Sequence, residues 1–222
     1  MSLEHKLQAF KQKIAYHEML SKRLKGSVSL VAVSKMVDIQ TIQSALSCGQ
    51  IIFAESKLQE AQKKWSFLRK EWDIQLRFIG SLQSNKISEI VSFFDVIETV
   101  DREKIASLLS IEMEKQKCFL PIYIQVNTGC EKQKSGVMPN ETKDFIVLCR
   151  QKYRLNVEGL MCIPPVTSNP GPHFCLLSKI AKECEVTKLS MGMTKDYDLA
   201  IAFGATSVRI GSGIFGERSY QI

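Results

Sequence analysis

The stretch Val28-Ser29-Leu30-Val31-Ala32-Val33-Ser34-Lys35 decides how this chain is read. Side chains alternate along an extended strand, which puts Val31, Val33 and Lys35 on one face and Leu30, Ala32 and Ser34 on the other. Both faces are nearly apolar, the pattern of a parallel strand covered on both sides by helices. The run stops on a lysine, and the carboxyl ends of such strands are where α/β folds carry their chemistry. Partial desolvation there lowers a lysine's pKa and leaves more free amine to attack an aldehyde. Lys35 is therefore a candidate for Schiff-base formation. The alternative is a lysine that merely ends a strand and carries its charge to water on an apolar stem.

Beyond this strand the alternation continues. Apolar runs of strand length occupy 28–34, 51–54, 75–79, 95–98, 121–127, 156–161, 186–190 and 206–210. Helical patterns separate them at 38–48, 57–70, 84–92, 101–116, 140–152, 173–184 and 195–203. Asp38, Ser56 and Asp101 stand where N-caps belong, and Ser56 with Gln59 forms a possible capping box. A further amphipathic helix over 3–24 precedes the first strand, with Leu7, Phe10, Ile14, His17 and Leu20 on its apolar face. Eight strands alternating with helices predict a closed (β/α)8 TIM barrel, with a doubly wound open sheet as the competing architecture. No Pro- or Gly-rich linker divides residues 1–222, so one domain is expected, with residues 1–26 packed on the barrel as an extra N-terminal helix.

A hydrophobic share of 45% and a charged share of 24% place the chain among ordinary globular proteins and exclude a disordered one. The formal charge of +7 is spread along the helical segments, favouring anionic ligands such as phosphates. No zinc-finger spacing or aromatic-interleaved basic patch supports a nucleic-acid partner. The 7 cysteines never fall in a C-x-x-C pair, so they read as thiols of a reducing compartment. The charged N-terminus lacks the apolar segment of a secretory signal, and no window is apolar enough to span a membrane. A cytoplasmic protein is expected.

Near the C-terminus, VRIGSGIFGER (208–218) holds Gly211, Gly213 and Gly216 in G-x-G-x-x-G spacing. A dinucleotide fold would need a βαβ unit and an acidic residue further on, and the sequence provides neither. The same glycines can turn backbone N–H groups toward an anion at the start of a short helix near Ser212, a recurrent phosphate site after the eighth strand of such barrels. A plain glycine turn accounts for the motif equally well. Ser190, in the run KLSMGM, could add a hydroxyl from the neighbouring strand end. Arg209 shares a face with the turn and needs an acceptor. That acceptor is either a carboxylate such as Glu55 or Glu158, or the ring nitrogen of a bound cofactor such as pyridoxal phosphate, which an arginine would keep unprotonated.

VAVSK (31–35), FIGSLQSNK (78–86), KSG (134–136), GLMCIPP (159–165), LSMGMT (189–194) and VRIGSGIFGER (208–218) occur in this order. Together they resemble the YggS-type pyridoxal phosphate homeostasis proteins over residues 28–220. The resemblance implies a monomeric barrel of the alanine-racemase N-terminal type that binds pyridoxal 5′-phosphate and manages its supply, with apo forms of pyridoxal phosphate-dependent enzymes as possible recipients. It implies Lys35 as the Schiff-base lysine, Ser190, Gly211 and Ser212 at the phosphate, Arg209 at the ring nitrogen, and Met161 and Ser56 beside the coenzyme. The family pattern FGEN plus an aromatic reads FAESK here, so Ser56 replaces the asparagine placed near the coenzyme and is also a helix cap. Arg77 stands where the family often has histidine. Gln83, Asn85 and Lys86 read as a solvated helix start on the rim, and Lys134 as a surface lysine or added positive charge near the mouth.

Two functional classes compete: a coenzyme-binding protein that buffers and delivers, and a pyridoxal phosphate-dependent amino-acid racemase. Racemisation needs a second acid/base opposite the lysine, a tyrosine supplied in racemases by an additional β domain. Only 12 residues follow Ile210, which leaves no such domain expected, and nothing in the sequence puts Tyr197 or Tyr220 over a ring. A barrel enzyme acting on a phosphorylated metabolite would need a carboxylate at the mouth, for which Glu55 and Glu158 are the available choices. The binding-protein reading is preferred, with no catalytic residue assigned.

Overall fold

The apolar runs become eight parallel strands, and the computed structural model describes residues 2–216. In chain order the elements are α1 (Leu3–Leu20), β1 (Ser29–Val33), α2 (Ile39–Ser47), β2 (Ile52–Glu55), α3 (Leu58–Glu71), β3 (Gln75–Phe78), α4 (Ile87–Phe93) and β4 (Val96–Val100). They continue with α5 (Glu103–Lys115), β5 (Ile122–Gln125), α6 (Thr142–Gln151), β6 (Val157–Met161), α7 (Pro170–Glu183), β7 (Lys188–Met193), α8 (Tyr197–Ala202), β8 (Ser207–Ile210) and α9 (Ser212–Phe215). The strands follow one another around a closed barrel, and β1 pairs with both β2 and β8. That closure excludes the open sheet, because an open sheet has two edge strands and here every strand has two neighbours.

Period-two alternation sorts the strand residues into two environments. Leu30, Ala32, Phe53, Leu76, Ile97, Ile124, Leu160 and Val208 point outward into the core shared with the helices. Inside the barrel lie two apolar groups, Val31 with Val33 and Ala54, and Val96 with Tyr123 and Met161. Gly159 makes room for the Tyr123 ring, since a Cβ there would stand 2.2 Å from it.

Several helix boundaries differ from the sequence expectation. Asp38 caps α2 by accepting the Thr41 N–H at 2.8 Å, as its position predicts. Ser56 does not cap α3: the cap position is Lys57, whose side chain makes no cap bond, so the Ser56/Gln59 box is not formed. Asp101 is likewise one residue early, and its carboxylate pairs with Arg102, the cap residue of α5. The first helix stops at Leu20 instead of 24, and Leu20 is exposed. Glu18 is buried in its place, accepting the Gly26 N–H at 2.9 Å and the Val28 N–H at 2.7 Å, which turns the chain into β1. His17 is a packed residue, edge-on to Tyr197 at 5.9 Å. Through this contact and one between Phe10 and Tyr197, α1 lies against α8 on the outside of the barrel.

Candidate functional site

The ladder of β1 runs one residue past the strand, with the Ser34 N–H donating to the Ala54 carbonyl at 3.1 Å. The chain then turns sharply: Val37 donates back to the Ser34 carbonyl, and Met36 takes a left-handed φ of 62°. The Ser34 hydroxyl points outward to Glu55 Oε1 at 2.7 Å, so alternation sends the half-buried Lys35 to the mouth side. Lys35 thus stands on the carboxyl rim, as expected.

The glycine turn is its neighbour. Val31 pairs with Arg209 and Ala32 with Ile210, which sets Val33 beside Gly211. The φ of Gly211 is −111°, and a Cβ built on it would stand 3.5 Å from Val33, an ordinary contact. Packing within the protein does not demand glycine there. What a side chain would take up is space at the rim between the ends of β1 and β8. Gly213 is different: its Cβ would meet the Phe10 ring at 2.5 Å and Thr194 Cγ2 at 2.9 Å. The short helix α9 is therefore wedged between α1 and the end of β7, and Thr194 joins Gly211 and Ser212 on one stretch of rim. Sequence reading missed Thr194 because it placed the end of the seventh strand at 190.

Ser190 is a correction. The strand continues to Met193, and the β7/β8 register shifts between Ser190 and Met193. Ser190 consequently sits within the barrel, fully buried, where its hydroxyl donates to Glu98 Oε2 at 2.6 Å and accepts from Arg209 Nη1 at 2.6 Å. The hydroxyl is engaged in the interior and does not reach the glycine turn as a free ligand. Arg209 is also buried, and its Nη2 donates to the Cys162 carbonyl at 2.9 Å. A guanidinium has five N–H donors, so this fork is fixed in place with donors beyond these two. Its carboxylate neighbour is neither Glu55 nor Glu158 but Glu98, 4.0 Å away. Glu98 in turn accepts from Arg77 Nη1 at 2.9 Å, so three charges, Arg77, Glu98 and Arg209, with the Ser190 hydroxyl between the last two, cross the interior. Sequence alternation marks Arg77 and Glu98 as inward-facing but cannot pair them.

Met161 ends β6 inside the barrel, and Ser56 follows β2 at the rim, half-buried, with its carbonyl against Gly80. A Cβ on Gly80 would fall 2.0 Å from that carbonyl, which explains the glycine in FIGSLQSNK. Lys86 pairs with Glu89 at 2.9 Å and Lys134 with Glu131 at 2.6 Å. Tyr197 is held in the outer layer by Phe10 and His17, and Tyr220 lies outside the described residues. At the opposite end of the barrel, a cleft of about 290 Å³ opens between α1 and the starts of β1 and β2. Its buried polar side chains are already used, Glu18 on backbone N–H groups and Gln50 on the carbonyls of Leu30 and Ile52.

Comparison with known proteins agrees with this fold. Residues 6–219 match the family model of the alanine racemase N-terminal domain. The chain is 36% identical over 232 residues to the pyridoxal phosphate homeostasis protein of Pasteurella multocida, covering 100% of both chains. Its identity to the protein of the same name from Schizosaccharomyces pombe is 41% over 207 residues, covering 86% of this chain and 85% of the relative. The chain belongs to the pyridoxal phosphate homeostasis protein family. A solved structure of PipY from Synechococcus elongatus with pyridoxal phosphate bound superposes on this family member with a TM-score of 0.79 at 30% identity, covering 91% of this chain and 100% of PipY. Alanine racemase from Clostridium difficile shares the fold, with a TM-score of 0.71 at 10% identity, covering 96% of this chain and 57% of the racemase. In this member of the pyridoxal phosphate homeostasis family, the rim brings together an amine from β1 and a glycine turn after β8, above a fixed guanidinium.

Proposed function

We propose that this protein binds pyridoxal 5′-phosphate as a Schiff base on Lys35 and buffers and delivers it, as a cytoplasmic monomer, without turning over a substrate of its own. The observation that carries this reading is the adjacency of Lys35, at the end of β1, and the Gly211–Ser212 turn, at the end of β8. When bound, pyridoxal phosphate would supply an aldehyde for the amine and a phosphate for the turn. Lys35 contributes the amine, and the first N–H groups of α9, with the Ser212 and Thr194 hydroxyls, hold the anion. Arg209 would face the ring nitrogen as a donor and, because a guanidinium keeps its proton, would leave that nitrogen unprotonated. Ser190 and Glu98 keep that guanidinium in place. Met161 and Ser56 line the space beside the ring. The pyridoxal phosphate bound to PipY and the names of the relatives support the reading.

The test is direct. Adding pyridoxal phosphate to the purified protein gives a visible imine band, and borohydride reduction with peptide mapping puts the label on Lys35. A full-strength band in Lys35→Ala removes the assignment. Exchange of an amino acid's α-proton at enzyme-like rates would convert the reading to a racemase. Transfer of coenzyme to an apo-enzyme, in the presence of a scavenger for free pyridoxal phosphate, tests delivery.

A further inference from the structure

Sequence reading assigns nothing to Lys64, a lysine on the middle of α3. Its helical position, three residues after Ala61 and four before Leu68, is on the buried face. Lys64 is buried, and its ammonium has three acceptors: Glu55 Oε1 at 2.7 Å, Glu60 Oε1 at 2.7 Å and the Ser34 carbonyl at 2.8 Å. An ammonium has three donors. Glu55 is fully buried, and the same oxygen also accepts from Trp65 Nε1 at 3.1 Å and from the Ser34 hydroxyl. Glu60 in addition accepts the Met36 N–H.

These bonds converge on the two residues that flank Lys35. Ser34 is fixed by its N–H, its hydroxyl and its carbonyl. Met36 is fixed by its N–H, in the left-handed conformation that non-glycine residues seldom adopt. A backbone pinned on both sides leaves Lys35 only its own side-chain rotations. We propose that Lys64, with Glu55 and Glu60, is a positioning unit that aims the Lys35 amine into the mouth. The unit presents the amine already oriented, and a reacting group held out of place by about 1 Å can lose about a hundredfold in effectiveness. Lys64 itself touches no coenzyme.

The inference rests on the Lys35 reading for its consequence but has a readout independent of it. Lys64→Met alone leaves Glu55 buried without its cation, which threatens folding. The double variant Lys64→Met/Glu55→Gln removes both charges, keeps an acceptor for Ser34 and Trp65, and releases the Ser34 carbonyl. Its urea midpoint should return close to that of the parent. Lys35 should then be acetylated several-fold faster than in the ligand-free parent, measured by peptide mapping, with exposed Lys25 unchanged. With pyridoxal phosphate, the double variant should lose its imine about tenfold faster on dilution into a scavenger. Glu60→Ala, at a half-exposed position, frees the Met36 N–H and removes one of the three Lys64 acceptors while leaving the Lys64–Glu55 pair in place, and should show the same changes in weaker form. Parental acetylation of Lys35 in both variants overturns the positioning role. Faster acetylation in variants of a parent that forms no borohydride adduct on Lys35 upholds the positioning unit and removes the Schiff-base reading alone.

Discussion

Arg77 and Glu98 meet inside the barrel with Nη1 2.9 Å from Oε1, both side chains buried. The second carboxylate oxygen holds Ser190 and stands 4.0 Å from Arg209, so a single anion serves two buried guanidinium groups. Replacing Glu98 with Gln leaves two buried cations facing a neutral amide. Breaking such a pair costs about 3–5 kcal/mol. Urea unfolding should show that loss in Glu98→Gln, and a change below about 1 kcal/mol would mean the interior charges are solvated in solution.

Gly80 and Gly211 make a controlled comparison. A Cβ at Gly80 falls 2.0 Å from the Ser56 backbone carbonyl, which cannot move without displacing the rim. Gly80→Ala should destabilise by about 1–3 kcal/mol or more.

Gly211→Ala should change stability by less than about 1 kcal/mol, since the nearest contact of its Cβ is 3.5 Å. Its effect should instead appear in coenzyme affinity, weakened about tenfold if the phosphate rests on that turn. Unchanged affinity, measured by titrating the imine band, would move the phosphate elsewhere.

Burial pushes three acids up to about 12: the Tyr123 phenol, from 10.0, and the Cys149 and Cys162 thiols, from 9.0. The folded protein keeps protons that the unfolded chain has already released, so unfolding gains on folding as these groups titrate. This contribution to stability is full below about pH 9 and declines as pH rises toward about 12. The urea midpoint should fall steadily between about pH 9 and about pH 10.5, and a flat or rising midpoint would contradict the burial of these groups.

Thiol labelling separates the same cysteines. Cys149 and Cys162 are fully buried and held as thiols, whereas Cys130 and Cys175 are exposed. A maleimide at neutral pH should modify Cys130 and Cys175 within minutes and spare Cys149 and Cys162 until the protein unfolds, as mass spectrometry of peptides would record.

The alternation of apolar runs and helical patterns was enough to determine a parallel α/β sheet and to favour the barrel, and the pairing of β1 with β8 decided it against the open sheet. Lys35 at the rim was equally legible: parity along VSLVAVSK sends Ser34 outward and Lys35 to the mouth, and the structure keeps that parity. Parity, however, says which wall of the barrel a side chain leaves and nothing about its height. Height depends on register between neighbouring strands, and the shift between β7 and β8 lowers Ser190 into the interior while raising Thr194 to the rim. Partners were hidden for the same reason. Glu98 meets Arg77, Ser190 and Arg209, and Lys64 meets Ser34, only because barrel closure and helix packing bring together residues that no local pattern couples. Short-range periodicity fixes the elements; the charges inside them are paired by long-range geometry, which exists only once the chain has folded.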